Sequence, residues 1–201
     1  MSTYILEETS KGIQTVAIED HMYNNRKIFM TEPITSQTST NLIKQLMYLE
    51  EADPEAGIEL YISSPGGEVI AGLVICDFIK HMKAPVTTIC IGIAASMGAM
   101  IFLHGRKRKM MPHSKIMLHD PSFGSVDIGG QKPMQLMEDV KGLMDVRKML
   151  AEIISEQTGM SVKRVYTITK KDTYFSAKEA VKCGIATEIM YEENEEDPER
   201  G

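Results

Sequence analysis

Ser96 stands in the run Ala94-Ala95-Ser96-Met97-Gly98, where the β-branched stretch Val86 to Ile91 gives way to small and apolar residues. A serine at the point where a strand turns into a helix has two chemical assets. Small neighbours let the backbone turn sharply and leave the hydroxyl exposed. The unpaired N–H groups of the helix start face any negative charge that develops on a bound carbonyl. On this segment alone a plain helix N-cap is the commoner role for such a serine, and alanine replaces the first glycine of the nucleophile-elbow pattern.

A nucleophilic serine needs a base. Of the five histidines, His119 alone ends a convincing strand-like run, Lys115-Ile116-Met117-Leu118, and Asp120-Pro121 behind it turns the chain out of regular structure. A satisfied core histidine is the more frequent occupant of such a place. The base in turn needs a carboxylate. Asp172 lies between Lys170-Lys171 and Thr173-Tyr174-Phe175, but local chemistry does not separate it from the other acidic residues, 28 in all, and a surface ion pair fits it equally. Pro65-Gly66-Gly67 closes another strand-like run. A turn explains it; glycines also permit close approach of backbone to a ligand, so that the Gly67 N–H could donate to an oxyanion.

The elements that must position these residues follow from periodicity. Thr15 to Ile18 and Lys27 to Met30 read as short strands, and Ser39 as the cap of a helix carrying Leu42, Ile43, Leu46 and Met47. Ile58 to Ser63 alternates apolar and polar residues as a strand does. Val69 to Lys80 reads as an apolar helix, and Val86 to Ile91 as a strand ended by Gly92, with a small-residue helix starting near Ser96. A glycine-rich loop, Gly124 to Gly130, precedes a long helix over Met134 to Gln157 that Thr158-Gly159 stops. Ser176-Ala177-Lys178-Glu179 has the form of a capping box, and Gly184 ends the helix it opens. Alternating strands and helices predict an α/β fold. No linker divides the chain, so one domain is expected, with an acidic, frayed tail over residues 191–201.

Composition narrows the function classes. The 201 residues suffice for one sizeable core. A net charge of −6 with no extended basic patch disfavours nucleic acid as a partner, and Arg106-Lys107-Arg108-Lys109 reads as a solvated turn after Gly105. The three cysteines are odd in number and form no CxxC, and read as buried free thiols of a reducing compartment. The 16 methionines read as flexible core filling, with an adaptable contact surface as the sharper alternative. No basic n-region opens the sequence, and the longest apolar run, Ile89 to Leu103, is short of the roughly 20 residues a membrane span needs. A cytoplasmic protein without membrane contact is expected.

Four segments, taken together, are more specific than any one of them. Tyr61-Ile62-Ser63-Ser64-Pro65-Gly66-Gly67-Glu68-Val69-Ile70-Ala71-Gly72 resembles the glycine motif of the proteolytic subunit of Clp proteases, the ClpP family. Gly92-Ile93-Ala94-Ala95-Ser96-Met97-Gly98-Ala99 resembles that family's nucleophile motif. Pro112 to Pro121 is similar to its histidine motif and Asp172 to Ala180 to its aspartate segment, and all four stand in the family's order from about Arg26 to Met190. The resemblance implies the ClpP/crotonase fold of repeated ββα units with a protruding strand–helix handle at about residues 120–157, a peptidase domain over 25–190 and an N-terminal axial segment over 1–24. It implies a catalytic triad of Ser96, His119 and Asp172, an oxyanion hole made by the Gly67 and Met97 N–H groups, and no metal. It further implies heptameric rings, two of them stacked into a tetradecamer, that take unfolded protein substrates from a hexameric AAA+ unfoldase. The sequence has no phosphate-binding G-x-x-x-x-G-K-[S/T], so no cofactor is expected and ATP chemistry would belong to that partner.

By the same resemblance Tyr61 and Met190 keep apolar positions in the pocket where the unfoldase docks, whereas Glu59, His81 and Lys109 stand where the family has aromatic residues. Two further departures are Asp120 in place of glutamine after the histidine, and Lys171 in place of arginine before the aspartate. The stretch between His119 and Gly159 is also longer than usual, in the segment from Asp120 to Gln131 that would join the rings. The order serine, histidine, aspartate disfavours the α/β-hydrolase fold. Two alternatives remain: an acyl-CoA enzyme of the crotonase family, which shares the fold without needing the triad, and a non-catalytic ring subunit paired with an active one.

Overall fold

The computed structural model describes residues 3–9, 12–123 and 132–191. The expected glycine-rich loop over 124–130, the strand of the handle and nearly all of the acidic tail therefore lie outside the described residues. An antiparallel hairpin comes first, β1 (Tyr4–Thr9) with β2 (Gly12–Ala17), followed by α1 (Ile18–Asn24). Next come β3 (Lys27–Met30), α2 (Ser36–Ala52), β4 (Ile58–Ser64), α3 (Val69–His81), β5 (Val86–Ala95) and α4 (Met97–Leu103). The chain continues through β6 (Lys107–Met110), β7 (Lys115–Leu118), α5 (Pro133–Thr158), α6 (Val162–Thr169), β8 (Thr173–Ser176), α7 (Ala177–Lys182) and β9 (Glu188–Ile189). Strands β3-β4-β5-β6-β9 form a parallel sheet in that order. This is a mixed α/β architecture, as the alternation of strands and helices along the sequence predicts.

The sheet forks at β5, and the fork positions the site. Thr87 to Cys90 pair with Lys107 to Met110 of β6, whereas Ile93 to Ala95, further along the same strand, pair with Lys115 to Met117 of β7. Strand β8 then adds to β7 antiparallel. The core is continuous across both branches. Ile58, Leu60 and Ile62 alternate into it from β4, and all of α4 is buried. A helix buried all round needs apolar residues all round, and Met97 to Leu103 supplies them.

Several sequence expectations need correction. Ser39 is not a helix cap. Thr35 caps α2, with its side chain accepting from the Thr38 N–H, while Ser39 is buried one turn in, its hydroxyl donating to Ala71 O at 2.8 Å. The basic run at 107–109 is not a turn but strand β6, in which Lys107 and Lys109 share one face of the sheet and Arg108 shares the other with Met110, which enters the core. The Arg108 side chain donates to Ile185 O and Gly184 O, which fixes it against the turn after α7. Strand β5 does not stop at Gly92 but runs on to Ala95, because the fork gives its second half a partner of its own. Strand β2 ends at Ala17, and Ile18 opens α1. Cys76 and Cys90 are buried thiols, and burial raises the pKa of both; Cys183 is only half-buried. The methionines divide: Met97, Met100 and Met110 fill the core, while Met134, Met137 and Met144 are exposed on α5.

Candidate active site

Strand register alone brings three distant side chains together. In the β5–β7 pairing Ala95 faces Met117, and the Ser96 N–H donates to Met117 O at 2.9 Å. The next residues of the two strands carry Ser96 and, two positions on, His119 to the same end of the sheet. In the antiparallel β7–β8 pairing Leu118 faces Thr173. One step outward along both strands, His119 faces Asp172. His119 Nε2 lies 2.8 Å from Ser96 Oγ, and His119 Nδ1 lies 3.4 Å from Asp172 Oδ1. With its Nδ1–H toward the carboxylate, the ring presents a bare Nε2 that accepts from the serine hydroxyl. The histidine side chain is 29% exposed and that of Asp172 is 63% exposed, so the carboxylate contact is the open end of the relay.

Ser96 has φ 53° and ψ −122°, outside the ordinary regions for a residue with a side chain, and its side chain makes no capping bond. Such a conformation costs on the order of 1–3 kcal/mol and persists only where the surroundings enforce it. This excludes the plain helix cap that the local sequence favoured. Among the surroundings is the glycine segment. A Cβ on Gly66 would stand 2.7 Å from Ala95 O and from Ser96 Cβ, and one on Gly98 would stand 3.1 Å from Ser64 O. The glycines at 66 and 98 thus let two strand ends touch backbone to backbone.

Gly67 sits on the same segment with φ 155°. It bridges Ile34 through its neighbours, Ile34 N–H to Gly66 O and Ile34 O from the Glu68 N–H. Alternation along an extended segment directs the Gly67 N–H away from Ile34. At the start of α4 the N–H groups of Ala99 and Met100 donate to Ser96 O, and those of Met97 and Gly98 have no partner within the helix. Beside Ser96 and His119 a small cavity of about 30 Å³ opens among apolar side chains, Val69, Met100, Leu118, Pro121, Leu150 and Ile154. Among the described residues no cluster of three or more His, Cys, Asp or Glu is arranged to hold a metal ion, and no helix is long and apolar enough to cross a membrane.

Sequence reasoning missed Arg147 and Tyr166 near the site. Asp120 Oδ2 accepts from Arg147 Nε at 2.7 Å, and the Arg147 guanidinium lies 4.3 Å over the Tyr166 ring. The only signal was Asp120 itself, an acidic residue where the motif has an amide.

Tyr61 and Met190 lie on the sheet rather than at its end. Register aligns Phe29, Tyr61, Ile89, Lys109 and Glu188 in one row across five strands. Tyr61 stacks on Phe29, centroids 4.8 Å apart, and its hydroxyl donates to Glu59 at 2.8 Å. Burial first, and that bond second, push the Tyr61 phenol up to about 12. Glu59 also faces Lys27 at 3.8 Å, and Lys109 pairs with Glu188 at 2.7 Å. Two of the three polar residues at expected aromatic positions are thus paired within the sheet surface. His81 is at the end of α3, exposed, and donates from Nδ1 to Asp77 O. Half-buried Met190 continues the row's face two positions beyond Glu188, its N–H donating to Met110 O. A groove of about 760 Å³, lined among others by Met22, Tyr23, Phe29, Lys44 and Tyr48, adjoins this surface.

Compared with models of known families, the chain matches the one described as Clp protease over residues 10–193.

Proposed function

This chain belongs to the Clp protease family, a family of peptidases, and on that premise we propose that it is a serine endopeptidase whose triad is Ser96, His119 and Asp172. The observation that carries the proposal is the 2.8 Å contact between His119 Nε2 and the hydroxyl of a serine held at φ 53°. His119 takes the Ser96 proton as Oγ attacks the peptide carbonyl carbon, and Asp172 holds the ring in the tautomer that accepts it. The carbonyl oxygen gains the electron pair and is stabilised by the N–H groups of Gly67 and Met97. Return of the proton from His119 to the amine releases the first product and leaves an acyl ester on Ser96. Water, deprotonated by the same imidazole, then hydrolyses that ester.

The family further supports a compartment of heptameric rings, two stacked, in which a hexameric AAA+ unfoldase supplies unfolded protein and uses the ATP. The docking surface for that partner is the sheet face around Tyr61 and Met190 with the adjoining groove. Its Lys27–Glu59 and Lys109–Glu188 pairs would lose hydration under an apolar docking loop. Weak response to unfoldases that use apolar loops is therefore expected. Hydrolysis of an internally quenched peptide by the purified protein, with native mass spectrometry of the same sample, tests the proposal. Cleavage that disappears in Ser96→Ala rings supports it; full activity in Ser96→Ala, or a monomer with none, contradicts it.

A further inference from the structure

Nothing in the triad itself holds His119 and Asp172 in line. Their contact is 3.4 Å long and Asp172 is 63% exposed, so water competes for the carboxylate. The alignment must come from the backbone on either side. Behind His119, the Asp120 N–H donates to Thr169 O at 2.7 Å. Thr169 is the last residue of α6, three positions before Asp172. The β7–β8 ladder ends at Leu118 and Thr173, and beyond it this bond ties the chain leaving the histidine to the chain approaching the aspartate. Arg147, on α5, closes the same junction from outside. Its Nε donates to Asp120 Oδ2 at 2.7 Å while its Cζ lies over the ring of Tyr166, 4.3 Å from the centroid, one turn before Thr169. The two side chains of the ion pair are only 23% and 29% exposed, so the pair is better shielded than His119–Asp172. A guanidinium can donate in its plane and stack through its face at once, which an ammonium cannot.

Resting on the serine-peptidase reading above, we infer that Arg147 is a positioning residue for the reaction. Through Asp120 on one side and Tyr166 on the other, it steadies the His119 and Asp172 segments where they leave the β7–β8 ladder. It touches neither substrate nor the reacting atoms. Loss of the clamp lets the two segments drift, and misplacement by about 1 Å costs up to roughly a hundredfold in rate.

The test uses the full-length assembled protein and two readouts, steady-state hydrolysis of a short quenched peptide and the rate of Ser96 labelling by a fluorophosphonate. Arg147→Gln is expected to lower kcat by roughly ten- to a hundredfold with KM little changed, and to slow labelling by a similar factor. Arg147→Lys, which keeps the charge but not the fork or the stacking, should fall between. Asp120→Asn should lose less than Arg147→Gln, and the double variant no more than Arg147→Gln alone, because both break one pair. Wild-type kcat in Arg147→Gln, a loss confined to KM, or losses that multiply in the double variant would overturn the inference. If Arg147→Gln does not fold, Asp120→Asn decides, and wild-type kcat there overturns it. A wild-type protein that does not label at Ser96 removes the peptidase reading itself, and the inference with it, before any variant is compared.

Discussion

Substitution of Gly66 by alanine should impair the site while leaving the fold intact. Position 66 has φ 93°, where a side chain is strained, at a cost of roughly 1–3 kcal/mol. The added Cβ would also stand 2.7 Å from Ala95 O and from Ser96 Cβ and 3.0 Å from Met97 N, against an ordinary contact of 3.4 Å or more. The glycine segment and the nucleophile turn must therefore part by about 0.7 Å. None of these atoms is the free end of a flexible side chain, so backbone moves. That displacement separates Gly67 from Met97, the two proposed oxyanion donors, and shifts Ser96 relative to His119. Since 1 Å of misplacement can cost about a hundredfold, a loss of kcat/KM of at least roughly tenfold is expected, with melting lowered by no more than a few kcal/mol of stability. Gly142→Ala is the control. It lies within α5 with nothing near its would-be Cβ, so it should raise stability by about 0.5–1 kcal/mol and leave kcat/KM unchanged. Peptide hydrolysis and thermal melting read both. Wild-type kcat/KM in folded Gly66→Ala would refute the claim that the two segments form one rigid unit around the nucleophile.

For the triad, His119→Ala should lose about as much kcat as Ser96→Ala, on the order of 10⁶, because the members act as a unit. Asp172→Asn should lose roughly 10⁴ through the wrong tautomer; kcat measured on one quenched peptide checks all three. His104 gives a pH dependence: burial lowers its pKa below 6.5, so the unfolded chain binds a proton that the folded chain refuses. Stability from this site is full above 6.5 and falls as pH drops below it, and melting curves of His104→Gln should show a smaller acid-side loss than wild type; an equal loss contradicts the assignment. At the sheet surface, Glu59→Tyr with Lys109→Phe should strengthen ATP-dependent casein degradation with an unfoldase that docks through apolar loops. Strong degradation by wild type, unchanged in the double variant, would show that the paired charges do not hinder docking.

Much of this fold was legible wherever its cause is local. The alternation of Ile58 to Ser63 matches a strand, Ile58–Ser64, buried at every second residue, and Ser176 to Glu179 forms the reciprocal capping bonds its spacing implies. Long helix α5 ends before Gly159, whose φ of 74° suits glycine. What was misread depends on distant partners. Gly92 looks like a strand end, yet β7 pairs with the residues beyond it. Lys107 to Lys109 look like a solvated run, yet β5 pairs with all three and β9 with Lys109. Helix α6 was not anticipated, although Ser161 caps it and Val165 is buried. The site divides in the same way. Ser96 and His119 carry local signals, a strand end and a break after it. Asp172 carries none, because only the antiparallel register of β7 with β8 sets it opposite His119. The Arg147–Asp120 pair is likewise a product of packing between α5 and the end of β7.

The most direct measurement is the site of covalent modification by a fluorophosphonate, mapped by peptide mass spectrometry on the wild-type protein. An activated serine is the only side chain expected to react. The expected result is a single adduct on Ser96, absent in Ser96→Ala and strongly slowed in His119→Ala. An unmodified protein, or an adduct on another residue that persists in Ser96→Ala, would contradict the assignment of Ser96 as the nucleophile.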